Sequence, residues 1–151
     1  MEESIEKLIN EIRSLDFGLD ISEPQNENIL YLAYIGDTIF DLFTRDFLLK
    51  KYISKFKMNE LHKANSDLVC AKSQAEIIEK LIDSGVLTDE EISFYKHARN
   101  AHPHSKSKNS SIADYRKATG FEALIGLLYF KKDIGRLKSI FEVTSKCIDN
   151  I

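Results

Sequence analysis

The sequence contains no tryptophan, only two prolines and only two cysteines in its 151 residues. The shortage of proline favours long helices, because a proline inside a helix removes a hydrogen bond and clashes with the preceding turn. Cys70 and Cys147 lie far apart and belong to no Cys-x-x-Cys or Cys/His spacing, which argues against a zinc site or a disulfide framework. Two isolated cysteines are typical of a reducing compartment, so we expect a cytoplasmic protein.

The sequence also lacks the signals of export and of membrane insertion. Its first residues, MEESIEKLINEIRSLD, are acidic and have neither the basic start nor the apolar core of a signal peptide. No apolar run approaches the roughly 20 residues of a membrane span. Hydrophobic residues make up 43% and charged residues 30%, which is ordinary for a soluble globular protein and argues against gross disorder.

The net charge of −3 hides an uneven distribution of charge along the chain. Residues 1–28 hold eight carboxylates against two basic residues, Lys7 and Arg13. Residues 96–117 hold six Lys or Arg and three His against Asp114 alone. A local basic segment matters more to a polyanion than the total charge does, so nucleic acid is a candidate partner despite the acidic average.

The spacing of apolar residues predicts an all-α fold of about six or seven helices. Gly85 is expected to cap the end of one helix, and Thr88 with Glu91 forms the capping box that opens the next. Residues 17–24 and 102–111 are expected to be connections. The predicted helices cover residues 4–15, 26–50, 58–83 with a break near 71–73, 88–101, 112–131 and 134–149.

The predicted helix over residues 26–50 is apolar almost all round. Such a helix belongs at the centre of a bundle or across a subunit interface. Within it, Asp41 and Arg45 are four residues apart, which predicts an ordinary ion pair on the helix surface.

Two of the predicted core helices carry an unexplained carboxylate. Asp37 follows Gly36 in LAYIGDTIF, and Glu122 lies among small residues in GFEALIG. A glycine weakens a helix interior by roughly 1 kcal/mol, and a buried carboxylate is costly unless it is paired. Small residues allow close helix approach, so the two acids can converge with a proton or a hard cation such as Mg²⁺ between them. The alternative is that each acid caps another helix or meets a distant Lys or Arg.

Four segments, taken in order, resemble the ribonuclease III family. LAYIGDTIFDLFTRDFLL is similar to the signature helix of that family, and FEALIGLLYF to its second signature. Between them, LHKANSDLVCAKSQAEII and YKHARNA resemble the compact bacterial branch called Mini-ribonuclease III. The resemblance implies the helical bundle of a ribonuclease III endonuclease domain. We expect residues 1–25 to be an acidic extension with a short helix and residues 26–151 to be the catalytic domain.

The resemblance also implies a function, a Mg²⁺-dependent endoribonuclease that cleaves double-stranded RNA. Asp37 and Glu122 are then the catalytic residues and the metal ligands, and the branch points to maturation of precursor ribosomal RNA. A symmetric homodimer would supply one cut on each strand. The RNA-binding candidates come from the basic segment and from AKSQAE: Arg99, Asn100, Lys106, Lys108, Arg116, Lys72 and Gln74.

The sequence departs from the longer members of the family in two ways. Those members carry acids where this chain has Ala33 and Thr119, so a full two-metal site is not expected. The chain also leaves no room for their C-terminal double-stranded-RNA-binding domain, so we expect the catalytic domain itself to hold RNA. Two rival functions stay open, a non-catalytic double-stranded-RNA-binding protein with a degenerate metal site and a helical adaptor for protein partners.

Overall fold

The computed structural model describes residues 2–13, 28–101 and 111–149, which form seven α-helices and no strand. The predicted all-α fold is therefore confirmed. The predicted connection over residues 17–24 lies outside the described residues, as do residues 102–110 of the predicted connection over 102–111. The last residue of that connection, Ser111, caps the start of the helix that follows it. In chain order the helices are α1 (Glu2–Arg13), α2 (Ile29–Tyr52), α3 (Met58–Val69), α4 (Ala71–Ser84), α5 (Asp89–Asn100), α6 (Ile112–Phe130) and α7 (Ile134–Asp149).

Local capping groups set the helix ends where the sequence predicts them. The Thr88 hydroxyl accepts a hydrogen bond from the Glu91 N–H at 3.1 Å, and the Glu91 carboxylate accepts one from the Thr88 N–H at 2.9 Å. Gly85 ends α4 with a φ of 77°, the left-handed conformation that glycine adopts without strain. The break between α3 and α4 falls at Cys70, whose backbone is extended, one residue before the predicted position.

The central helix of the bundle is α6. It packs against α2, α4, α5 and α7, and residues 118–128 are buried apart from the partly buried Glu122. Helix α2 lies against one side of α6 and does not occupy the centre of the bundle. Of the two positions predicted for this apolar helix, the central one is therefore wrong. Its other side leaves large apolar side chains exposed: Leu30, Tyr31, Tyr34, Leu42 and Leu49.

Two glycines let α2 and α6 touch backbone to backbone. A Cβ atom on Gly36 would overlap the carbonyl oxygen of Glu122 and lie 2.7 Å from its carbonyl carbon. A Cβ atom on Gly126 would overlap the carbonyl oxygen of Leu32 in the same way. Because any side chain would force the helices apart, glycine is required at both positions, and its helix-weakening cost is offset by close packing.

A largely buried ion pair ties α5 to α7. Arg136 donates to the two carboxylate oxygens of Glu91 at 3.0 and 2.7 Å and to the Val86 carbonyl oxygen at 2.7 Å. Burial acts to raise the pKa of Glu91, but the hydrogen bonds from Arg136 and Thr88 outweigh it and hold that pKa below its usual value. The fixed charge pair anchors the end of the bundle formed by the α4–α5 turn.

Helix α1 presents Ile5, Leu8 and Ile12 as exposed side chains on its apolar side. Within the three described stretches, no helix has both the length and the apolar character needed to cross a membrane.

Candidate metal-ion site

The carboxyl groups of Asp37 and Glu122 meet where α2 crosses α6. Because Gly36 packs on the Glu122 backbone, the next residue of α2 is brought beside the Glu122 side chain. The two carboxyl groups lie close enough for each to change the pKa of the other. Asp37 is exposed, whereas Glu122 is partly buried. The structure thus brings together the two acids that the sequence singled out, with Asp37 open to solvent.

Asp37 makes Glu122 harder to ionise, whereas Glu122 makes Asp37 easier to ionise. Burial, followed by the charge of Asp37, raises the pKa of Glu122 to about 8. Partial desolvation of its carboxyl group, followed by the charge of Asp41, raises the pKa of Asp37, while Glu122 lowers it. At neutral pH the pair therefore keeps one proton, held on Glu122 and donated to the Asp37 carboxylate. This is the shared proton that the sequence offered as an alternative to a cation.

The donor set fits a magnesium ion. Carboxylate oxygens are hard ligands, and Mg²⁺ is commonly held by one or two carboxylates while it keeps several waters and takes substrate phosphate oxygens. A cation can replace the shared proton between Asp37 and Glu122, because the cation and the proton each neutralise negative charge on the two carboxyl groups. Among residues 2–13, 28–101 and 111–149, no group of three or more His, Cys, Asp or Glu side chains is arranged to hold a metal. Two carboxylates are therefore the acidic ligands that the described residues supply.

The two positions where longer family members carry further acids hold buried, uncharged residues in this chain. Ala33 is buried, with 5% of its surface exposed. Thr119 is buried as well, and its hydroxyl donates to the Tyr115 carbonyl oxygen of its own helix at 3.0 Å. Neither residue offers a charge to the site.

Asp41 belongs to a polar cluster that the sequence revealed only in part. Arg45 Nε donates to Asp41 Oδ2 at 2.8 Å, which confirms the predicted ion pair. Asn65 Nδ2 on α3 also donates to Asp41, at 2.6 Å, and Thr44 donates to Asn65 Oδ1 at 2.6 Å. These bonds fix Asp41 one turn after Asp37, where its charge acts on the site. The available signal was Thr44 itself, a polar residue at a buried position of an apolar helix.

The predicted RNA-binding residues differ in where the structure places them. Lys106 and Lys108 lie outside the described residues. Arg99 is partly exposed, donates to Asn100 Oδ1 at 3.2 Å and lies over the Tyr95 ring at 5.7 Å from its centroid. The side chains of three further candidates are exposed: Lys72, Asn100 and Arg116.

Gln74 does not fit its predicted role. Its side chain is fully buried, so it is out of reach of an RNA backbone. It interacts instead with Glu122. The motif AKSQAE identified the residue but not the side of α4 on which it lies.

Helix α5 approaches the paired acids through a small buried cluster. Ala98 belongs to one buried cluster with Ala33, one turn before Asp37, and Ala123, the residue after Glu122. Arg99 follows Ala98 and so extends from a helix that packs directly beside the site.

Comparison with known proteins agrees with this architecture. The family described as ribonuclease III domain matches residues 30–133. Mini-ribonuclease 3 of Staphylococcus aureus is 42% identical over 113 residues, which cover 75% of this chain and 83% of that protein. Mini-ribonuclease 3 of Enterococcus faecalis is 38% identical over 82% of this chain and 90% of its own length. The crystal structure of protein FN1578 from Fusobacterium nucleatum is similar with a TM-score of 0.66 and 30% identity, over 78% of this chain and 91% of that chain.

The helical bundle and the family match define an endoribonuclease domain of the ribonuclease III class. This chain belongs to the ribonuclease III family and, by its relatives, to the Mini-ribonuclease III branch of that family. The resemblance noted in the sequence is confirmed.

Proposed function

We propose that this protein is a Mg²⁺-dependent endonuclease of double-stranded RNA that acts in the maturation of precursor ribosomal RNA in the cytoplasm. The observation that carries the proposal is the meeting of Asp37 and Glu122 at a glycine-mediated contact between two helices. An exposed and a partly buried carboxyl group, with no basic residue paired to either in the described contacts, are suited to hold a divalent cation against a polyanion. The two cysteines are free thiols, as a reducing compartment would keep them.

Asp37 and Glu122 would hold the ion through their carboxylate oxygens. Because Glu122 carries the shared proton at neutral pH, binding of the cation requires Glu122 to release it. The bound ion would supply positive charge at the reacting phosphate and a water of lowered pKa. The exposure of Asp37 leaves the site open to a phosphate group, while α6 and the surrounding core fix Glu122.

The RNA would be held through its backbone. An A-form duplex presents phosphates and 2′-hydroxyl groups across its shallow minor groove, and these are read by shape. Arg99 and Asn100, at the end of α5, would bind them together with Arg116 of α6 and Lys72 of α4, whose side chains are exposed. Lys106 and Lys108 complete the proposed set. Binding through phosphates requires that affinity fall steeply with added salt.

The proposal includes a symmetric homodimer formed through the open side of α2. Tyr34 is 80% exposed and Leu42 is 66% exposed, and they recur with Tyr31 and Leu49 at helical spacing along one side. Large apolar side chains exposed on one side of a helix are typical of an interaction surface. Two copies related by a twofold axis would offer two pairs of acids to the two strands of one duplex.

The function is tested by incubating the purified protein with Mg²⁺ and end-labelled RNA. The substrates are a perfectly paired RNA duplex, its separated strands and a DNA duplex of the same sequence. We expect cleavage of the RNA duplex alone, with products carrying 5′-phosphate ends. Binding of the RNA duplex without cleavage in Mg²⁺ or Mn²⁺ would favour the non-catalytic alternative, and the absence of salt-dependent RNA binding would favour the protein adaptor.

A further inference from the structure

Gln74 is a buried polar residue whose contacts join three helices. It lies in the first turns of α4, and none of its surface is exposed. Its side-chain Nε2 donates to the carbonyl oxygen of Val69 at 3.0 Å. Val69 is the last residue of α3, where backbone carbonyl groups lack partners within the helix. One end of the Gln74 side chain therefore closes the α3–α4 corner.

The Val69 contact fixes which way the Gln74 amide is turned. A carbonyl oxygen can only accept, so the amide nitrogen must face Val69. The amide nitrogen has a second proton, and the Gln74 side chain lies close enough to Glu122 to lower the pKa of that carboxyl group. The α3–α4 corner and the Glu122 carboxyl group are thereby linked through one rigid amide.

The other end of the amide is an acceptor without a partner. Gln74 Oε1 is buried, and it has no hydrogen-bond partner among the described residues. An unsatisfied buried acceptor is destabilising, and such atoms are uncommon in folded proteins. Gln74 Oε1 could accept a hydrogen bond from a water on a divalent cation held by Glu122, because such a water is a strong hydrogen-bond donor.

We propose that Gln74 is a positioning residue of the divalent-ion site, holding Glu122 through its amide nitrogen and accepting a hydrogen bond from ion-bound water through Oε1. The proposal rests on the proposed function, since it assumes that Asp37 and Glu122 hold an ion. Side chains that orient metal ligands commonly change metal affinity by 10- to 100-fold when they are removed. Gln74 thus acts through Glu122 and not through the RNA.

The test compares two neighbouring residues that both stabilise the α3–α4 corner. Ser73 donates to the Asp67 carbonyl oxygen at 2.5 Å, so Ser73→Ala weakens the corner without touching Glu122. Gln74→Met keeps the size of the side chain but removes its polar groups. Gln74→Asn keeps the amide but is one methylene too short to span the same contacts, and it serves if the Met variant does not fold.

Mn²⁺ binding to the RNA-free protein, followed by electron paramagnetic resonance, gives a readout that does not depend on cleavage. We expect Gln74→Met or Gln74→Asn to weaken Mn²⁺ binding by about tenfold or more, and Ser73→Ala to leave it within about twofold. The Mg²⁺ concentration for half-maximal cleavage should rise in parallel. Wild-type Mn²⁺ affinity in the Gln74 variants, with loss of binding in Asp37→Asn, would overturn the role of Gln74 alone. Wild-type affinity in Asp37→Asn would instead overturn the ion site on which the proposal rests.

Discussion

Gly36 of α2 packs directly on the backbone of Glu122 in α6, and this contact brings Asp37 beside the Glu122 carboxyl group. A glycine in a helix and an acid in an apolar run each reduce stability, and they look unrelated in the sequence. In the structure both result from the same contact between α2 and α6. The glycine sets the distance between two helices, and that distance brings the two acids together. Fold stability and the candidate chemistry consequently depend on the same few atoms.

Gly36→Ala tests this dependence. The added methyl group would overlap the Glu122 carbonyl oxygen, so α2 and α6 must separate. We expect the free energy of unfolding to fall by about 2 kcal/mol and cleavage to fall with it, because overpacked backbone contacts relax poorly. Gly135→Ala on α7 is the matched control, since its nearest neighbour would lie 3.9 Å away. Urea unfolding of both variants measures the difference, and equal stability of the two would contradict the proposed role of the contact.

The raised pKa of Glu122 predicts a pH dependence of stability in the metal-free protein. Between the ordinary value of 4.5 and the folded value of about 8, the folded state binds more protons than the unfolded state. The free energy of unfolding must therefore fall as the pH rises through this window. Glu122→Gln removes the titrating group, so its stability relative to the wild type should increase from pH 4.5 to about pH 8 and then level off. A stability difference that does not change with pH would argue against a buried, protonated Glu122.

The Glu91–Arg136 pair predicts the opposite sign of pH dependence. Arg136→Met leaves the Glu91 carboxylate largely buried without its partner, and we expect a loss of about 3 kcal/mol at neutral pH. Because the pKa of Glu91 is lowered, the stabilisation is present above its ordinary value of 4.5 and is lost as the pH falls through the folded value. The difference in the free energy of unfolding between the wild type and Arg136→Met should therefore become smaller at acid pH. Lys50→Met, which breaks an exposed pair with Asp46, should cost less than about 1 kcal/mol.

The exposed apolar side chains of α2 predict a homodimer, and one charge introduced among them should disrupt it. Leu42→Lys should convert the dimer to monomer in sedimentation velocity at micromolar concentration, because it places a charge within the proposed apolar interface. Met58→Lys is the matched control, since Met58 on α3 is 63% exposed and Leu42 is 66% exposed. A wild-type protein that sediments as a monomer would contradict the homodimer.

Much of the helical order can be predicted from sequence because its signals are local. Gly85 and Thr88 mark helix ends through groups within a few residues of themselves, and the structure places both as predicted. The convergence of Asp37 and Glu122 could also be predicted, because acids are conspicuous in apolar helices. What depends on contacts between distant segments could not be predicted, such as the packing of Gly36 on Glu122 and the fixing of Asp41 by Asn65.

Two predictions failed or were incomplete for the same physical reason. An apolar helix was expected at the centre of the bundle or at an interface, but α6 holds the centre and α2 covers it from one side. Gln74 was assigned to RNA because it lies in a polar motif, yet its side chain points into the core. Residue type and helical spacing do not fix how a helix is rotated against its neighbours, and rotation decides which side chains are buried.

The most direct test of the account is the rate at which Asp37→Asn and Glu122→Gln cleave a perfectly paired RNA duplex in saturating Mg²⁺ under single-turnover conditions. Asp46→Asn is the control, because Asp46 is an exposed acid of the same helix that pairs with Lys50 at 2.7 Å. We predict that each of the first two substitutions lowers the rate by about 10³-fold or more, while Asp46→Asn stays within about twofold of the wild type. Cleavage by folded Asp37→Asn at the wild-type rate would contradict the account.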